Sequence, residues 1–561
     1  MKRSIYTTVS VLALLSAAPA VAQSNTSSVN QSGNGANATV NQTGAENDSV
    51  VNQSADADAT VTQSGVEAGY GLAPPNNKST VTQSADGADA TVNQSGELNR
   101  SSVNQSGDAD ADVQQTGVYN ESNVQQTADG ASAIVTQNGV PPGGGPGVGE
   151  GDNLSNIFQN GSSSATVTQT SDSTDGFPSN QSTVTQNGDA SNAAVTQNGN
   201  NNVSNVQQDA DGANASVDQD GVGNMAATTQ TATAGGANST IKQDGSDNVA
   251  NVLQEANAKS NVEQGNFDGN SSGNFADVQQ KAGSTGSISD VNQNGDGNQV
   301  AIKQSGADGD SFAYQYEGGN KGDVTQSGAK SVSTLIQYQG YDAETGNLNN
   351  QATVNQSGAD TYSYVAQGGK GNVADVNLSG TGDPNPRRSS SEEYAGSPNP
   401  ATGVAAESEV WQEGTDNRAT VEQIADSANA RIYQGSDERN GYAAPGGSDG
   451  NTGTIRQYAG ATDSTANIFQ DGSLNTATTL QSASASSADV RQDGVGNTSD
   501  VDQQSGSDHN ADVTQYADNN LSSVIQNGTN NAATVLQTSN GNNSAINQGG
   551  ANNVATVTQG N

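Results

Sequence analysis

Along most of the chain, small or apolar residues alternate with polar ones at a period of two. In residues 55–63 (ADADATVTQ), Ala57, Ala59, Val61 and Gln63 fall on one face of an extended segment, and Asp56, Asp58, Thr60 and Thr62 on the other. The stretch NVANVLQ divides the same way, with Asn248, Ala250, Val252 and Gln254 on the inner face. Ser, Thr, Asn or Asp followed by Gly comes after many of these segments, as at Ser32-Gly33 and Asn527-Gly528, which is the chemistry of a tight turn. The turn residues predicted on this basis are Gly33, Gly44, Gly221, Gly223, Asn224, Gly295, Gly297, Asn298, Gly494, Gly496 and Asn497. Glycine frequency, β-branching and the period together exclude helices.

The segments recur. The pattern (Val/Ile)-x-Gln places its glutamine at Gln31, Gln42, Gln53 and Gln63, at Gln83, Gln94 and Gln105, and so on to Gln526, Gln537, Gln548 and Gln559. Allowing Thr, Leu or Ala at the apolar position, and Leu378 for one glutamine, there are 42 units. Of the 41 intervals, 26 are eleven residues, 8 lie between ten and thirteen, and 7 carry insertions. Two alternating unit types imply a 22-residue coil of two strands and two turns. The fold predicted is all-β: a flattened β-solenoid of about 21 two-strand coils with cross-β stacking, on the order of 100 Å long at about 4.8 Å per strand step.

The inward residues of such a coil form a thin apolar seam, represented by Val40, Val61, Val92, Val252, Ile302, Val501, Val535 and Val557. Each glutamine then lies above the glutamine two units away. Its amide donates to one neighbour and accepts from the other. The ladder predicted includes Gln31, Gln42, Gln53, Gln94, Gln105, Gln219, Gln230, Gln293, Gln304, Gln492, Gln503, Gln526, Gln537, Gln548 and Gln559. A slip of one residue would turn the Asp positions inward, so the register is strongly specified.

Composition adds exclusions. The 561 residues include 59 acidic against 18 basic, a net charge of −41, which disfavours nucleic acid and anionic membranes as partners. Zero cysteines exclude disulfides and thiolate metal sites. His509, the one histidine, is expected as an exposed loop residue, and Trp411, Phe158 and Phe469 as outward-facing packing residues. Neither a catalytic constellation, a cofactor motif nor a metal-ligand spacing is found, so no enzymatic activity or cofactor is expected. Residues 1–22 read as a secretory signal peptide: Lys2 and Arg3, an apolar run, and Ala20-Val21-Ala22, with cleavage between Ala22 and Gln23. The rest contains no run long enough for a membrane span. The organisation expected is signal peptide 1–22, repeats 23–378 with loop insertions, a Pro/Ser-rich insertion 379–409, and repeats 410–561.

The repeat resembles the curlin repeat of secreted bacterial functional amyloids, whose signature is Ser-x5-Gln-x-Gly-x-Gly-Asn-x-Ala-x3-Gln. Gln219, Gly221, Gly223, Asn224, Ala226 and Gln230 match its second half at every defined position. The segments from Gln293 to Gln304 and from Gln492 to Gln503 match except for Val300 and Ser499 in place of the alanine. The resemblance, close to the major curli subunit, implies a solenoid that polymerises with itself into extracellular cross-β fibres of a biofilm matrix. It also implies an outer-membrane export pore and a minor nucleating subunit as partners. The abrupt start and stop of the repeats lead to the expectation of uncapped, self-complementary ends. The alternative is a non-polymerising β-solenoid surface adhesin.

Overall fold

The computed structural model describes residues 24–65, 77–139, 153–171, 180–265, 271–338, 349–382, 407–437, 442–443 and 448–560. Strands of six to ten residues pass alternately into two parallel sheets. The first sheet has 21 strands, from Thr26–Gln31 to Asn543–Ala551. The second runs from Asn37–Thr43 to Val554–Gln559; apart from two two-residue pieces, Gly414–Thr415 and Ser448–Asp449, it also has 21. Both sheets are open: Asn37–Thr43 pairs only with Asp58–Ser64, and Val554–Gln559 only with Ala532–Gln537. No helix occurs among the described residues. The architecture is the flattened solenoid that the alternation predicts, one coil per pair of units.

Pairing is in register: Gln53 lies beside Gln83, Val51 beside Val81, and Val61 beside Val92. Columns of Val and Ile from the two sheets meet in a continuous buried seam from Val51 to Ile546, with Val40 and Val557 partly buried on the outermost coils. The two arms of a coil are complementary in size. Gly322 packs against Leu335, so a Cβ at Gly322 would meet the leucine Cδ2; Gly453 lies against Ile432 in the same way. One coil before Gly322 and Leu335, the pair becomes Val300 and Ala313, the large residue having changed sides. Position four before the glutamine obeys a similar exchange. Serine occupies it in the first sheet from Ser49 to Ser204, in the second from Ser239 to Ser408, and in the first again from Ser499, with a small or apolar residue on the opposite arm.

The turns divide the glycine roles. Four residues after the glutamine the backbone is left-handed, at Gly223 (φ 74°) but also at Asp247 (φ 54°) and Asn530 (φ 55°). Gly33, predicted to need permissive backbone angles, has none of that character. It is glycine because a Cβ would strike the backbone of Ala55 on the next coil. Six of the seven insertions, between glutamines 63–83, 137–159, 169–186, 264–280, 337–356 and 434–457, leave the second sheet and return to the first. They therefore root on one edge of the solenoid. The seventh, after Leu378, roots on the other edge; Ser379 and Gly380 still bond to Gln423, and the chain is again in the stack at Glu407–Gln412.

Gly322→Val is expected to destabilise the solenoid by about 1–3 kcal/mol through overpacking. Adding Leu335→Ala should recover most of that loss, since it reproduces the Val300–Ala313 arrangement. Urea unfolding of the single and double variants measures the coupling.

Candidate functional site: the buried amide ladders

Every glutamine of the second sheet from Gln42 to Gln537 donates its Nε2–H to the Oε1 of the next coil. Representative bonds are Gln42 to Gln63 (2.8 Å), Gln219 to Gln243 (2.8 Å), Gln492 to Gln515 (2.9 Å) and Gln537 to Gln559 (2.8 Å). The first sheet repeats the arrangement through Gln31 to Gln53 (2.8 Å), Gln230 to Gln254 (2.9 Å) and Gln526 to Gln548 (2.9 Å). Gln94, Gln293 and Gln559 stand in the second column; Gln105, Gln304, Gln503 and Gln548 stand in the first. The second amide hydrogen crosses the seam. Gln53 Nε2 also donates to the Ala57 carbonyl (2.8 Å), and Gln219 Nε2 to that of Val203 (3.1 Å). The buried carboxamide is thereby used on both sides, with the same polarity along each column except where Leu378 breaks the first.

A second ladder was not legible as such. At the edge where the second sheet turns into the first stands one buried asparagine per coil, from Asn47 to Asn520, each six residues before a first-sheet glutamine or, for Asn372, before Leu378. Asn224, Asn298 and Asn497 belong to it; they are not solvent-facing turn residues but buried rungs. Its bonds run the other way. The later coil donates: Asn99 N–H and Nδ2–H to Asn77 Oδ1 (3.2 and 3.1 Å), Asn248 to Asn224 Oδ1 (3.1 and 3.1 Å), and Asn497 N–H to Asn475 Oδ1 (2.9 Å). The detectable signal is an Asn recurring at alternate units, a 22-residue beat beneath the eleven. On the opposite edge the equivalent position is small, for example Ala57, Ala88 and Ser486, until His509, Asn531 and Asn553.

His509 therefore contradicts the expectation of an exposed loop residue. It is 1% exposed, its N–H donates to Ser486 Oγ (3.2 Å), and its Nε2 lies 2.9 Å from the Ser505 carbonyl. A corner position that tolerates Ser or Asn in a column also accommodates an imidazole. The inward set is buried at Val61, Val92, Val252, Ile302, Val501 and Val535. Left-handed backbone occurs at Gly44, Gly221, Gly223, Gly295, Gly297, Gly494 and Gly496. Ala22 and Gln23 lie outside the described residues.

Leu378 interrupts the first-sheet ladder. Gln356 Nε2 still donates to two backbone carbonyls, but Gln423 Oε1 on the next coil is buried with no donor. An orphaned buried acceptor costs about 1–3 kcal/mol.

Acidic residues do more than face solvent. Several turn carboxylates accept a backbone N–H from the preceding coil: Asp86 from Asp56 (3.0 Å), Asp129 from Asp108 (2.9 Å) and Asp211 from Asp189 (2.9 Å). Burial, foremost, pushes Asp89, Asp218, Asp290 and Asp500 above the ordinary 3.8, and Glu317, Glu407 and Glu409 above 4.5. At Asp89 the stacked charges of Asp58 and Asp110 add to the effect. A raised folded-state pKa means that the coil takes up protons the unfolded chain does not. This contribution to stability grows as the pH falls through those values and is lost as the pH rises through them.

Leu378→Gln is expected to complete the ladder between Gln356 and Gln423 and to stabilise the solenoid by about 1–2 kcal/mol. Chemical denaturation measures this; an unchanged or lowered midpoint would show that the ladder does not govern stability there.

Compared with known families, the chain matches the curlin associated repeat over residues 461–494 and again over 484–516. No curated protein matches it. The matched segment holds the strands Thr465–Ser473, Thr476–Gln481, Ser487–Val495, Thr498–Ser507 and Asn510–Gln515, with rungs Gln470, Gln481, Gln492, Gln503 and Gln515. Its geometry is that of the other coils, so the matched repeat is one stretch of a regular stack.

Proposed function

We propose that the chain is a secreted structural subunit that polymerises with itself into curli-like amyloid fibres of an extracellular, biofilm-type matrix. The observation that carries this reading is the opposed polarity of the two ladders. The leading face of every coil offers glutamine N–H donors and asparagine acceptors; its trailing face offers the reverse. A coil face is satisfied by the opposite face of a like coil, so contacts between chains can repeat the contacts within one. The outermost described coils have such faces in solvent: Thr26–Gln31 is exposed along its whole length. Joining two leading faces would set donor against donor, so the reading requires translation-related, head-to-tail stacking, which does not close. An outer-membrane export route and a nucleating partner belong to the same proposal. The insertions rooted on one edge favour the second reading, a monomeric adhesin presenting loops.

Incubated after removal of residues 1–22, the protein is expected to form detergent-resistant fibres with cross-β spacing. These fibres should elongate at unequal rates from their two ends in two-colour seeding. Assembly should quicken as the pH falls toward the sequence pI of about 4.1, because charge repulsion and the raised carboxyl pKa values act in the same direction. A monodisperse rod persisting for days at high concentration would overturn the proposal in favour of the adhesin.

A further inference from the structure

The edge opposite the asparagine ladder carries a column of its own, which on successive coils reads Ser464, Ser486, His509, Asn531 and Asn553. Along it, backbone N–H groups donate to the side chain of the earlier rung: Ser486 to Ser464 Oγ (3.1 Å), His509 to Ser486 Oγ (3.2 Å) and Asn553 to Asn531 Oδ1 (3.0 Å). The side chain at each of these rungs is an acceptor for the coil that follows. His509 is the one titratable group among them, and it is buried.

The tautomer of the ring is fixed by its partner. The Ser505 carbonyl, 2.9 Å from Nε2, can only accept, so Nε2 carries the hydrogen. Asn531 and Asn553 make the same bond four residues back, from Nδ2–H to the Asn527 and Gly549 carbonyls (3.1 and 2.9 Å). The imidazole N–H thus stands in for a carboxamide N–H. Nδ1 is left with its lone pair, in the acceptor role of the column, buried and without a donor. The chain makes room for the ring. His509 comes six positions after Gln503, against five for Ser486 after Gln481 and for Asn531 after Gln526, and the register shifts after Gln503 to absorb the extra residue.

The charged groups around the ring are directed elsewhere. The corner before it, residues 482–486, and the corner after it, 527–531, contain no ionisable residue, nor do the strands Thr476–Gln481, Leu521–Thr529 and Ala532–Gln537. Asp489, Arg491, Asp493, Asp500, Asp502 and Asp512 stand at outward positions of the other flanking strands. The adjacent Asp508 carboxylate accepts from Ser507 Oγ (2.6 Å).

We propose that His509 is a proton-operated latch: the neutral ring closes the corner between Thr498–Ser507 and Asn510–Gln515, and proton uptake at Nδ1 opens it. A second ring N–H would be a buried, charged donor with no acceptor, so the proton goes to the open corner. An imidazole in water titrates at about 6.5, so the open population should rise about tenfold between pH 7.5 and 5.5. This contribution to stability is present above that range and lost as the pH falls through it. Its sign is opposite to that of the carboxylates whose pKa burial raises, Asp500 among them. The latch acts within one chain and does not depend on whether the chain polymerises.

Hydrogen–deuterium exchange of the full secreted chain tests this, each rate being divided by the intrinsic rate at its pH. The amides of Ser487, bonded to the His509 carbonyl (2.7 Å), and of Asn510, bonded to that of Asn531 (2.9 Å), should gain about tenfold over the same range. Asn214, which makes the equivalent bond to Ala237 (2.8 Å) many coils away, should not. His509→Asn, the native residue of the next rung, should abolish the gain, and so should His509→Ser, the residue of the rung before, with strand content checked by circular dichroism. A flat profile at Ser487 and Asn510, an equal gain at Asn214, or a gain that persists in the folded variants would overturn the assignment. Variant and parent are compared at the same pH, so acceleration of fibre growth by acid does not decide the result.

Discussion

A primary amide buried in a stack can satisfy itself only by donating in one direction and accepting from the other, and the rest of the structure follows from that constraint. Because the carboxamides of Gln42, Gln63 and Gln94 bond in sequence, their strands must lie parallel, in register and one rung apart. Each bond is worth about 1 kcal/mol net, no more than an ordinary hydrogen bond. What makes the arrangement specific is the cost of missing it, since a slip strands a polar group on every rung. Gln423 shows the cost is tolerable once, where Leu378 leaves its oxygen unpaired. The asparagine ladder then removes the remaining ambiguity. It stands at one edge for nearly the whole length and runs in the opposite sense, so the two arms of a coil cannot exchange places without loss. The seam reinforces this through size: Leu335 needs Gly322, and Ala313 needs Val300.

With register set inside, the outside is free to vary. Insertions enter at the turns without disturbing the columns, and six of them root at the asparagine edge. Outward positions carry Thr and Asp over long stretches, yet collect Tyr, Trp and Glu in one block of the second sheet. An interior that specifies self-stacking and an exterior whose composition varies are separable in this fold, since one uses odd and the other even positions of the same strands.

Much of this was legible in the sequence because a strand solenoid writes its geometry into two short periods. The alternation assigned Ala57, Ala59, Val61 and Gln63 to one face, and the eleven-residue beat anticipated the two columns of glutamine. The asparagines were harder. Asn224 or Asn298 next to a glycine looks like turn chemistry, and only the bond from each to the coil before it shows that it is a buried rung. His509 was misplaced because a lone polar residue beside glycine and aspartate reads as exposed, whereas its column position decides its burial. The aromatic block of the second sheet was invisible for a different reason. Residues from Tyr338 to Phe469 are separated by insertions of unequal length, and only the register brings them together.

The central claim is that the neighbour of a strand is the strand two units away. The protein has no cysteine, so engineered pairs report on this without interference. Thr185→Cys with Gln207→Cys places the two residues side by side on adjacent strands of the first sheet, at about 4.8 Å and within disulfide reach. Thr185→Cys with Thr196→Cys, eleven residues apart, places them on opposite outer faces. Under mild oxidation at high dilution, the account predicts rapid intramolecular closure of the first pair and none of the second. Closure of the eleven-residue pair, or equal closure of both, would contradict it.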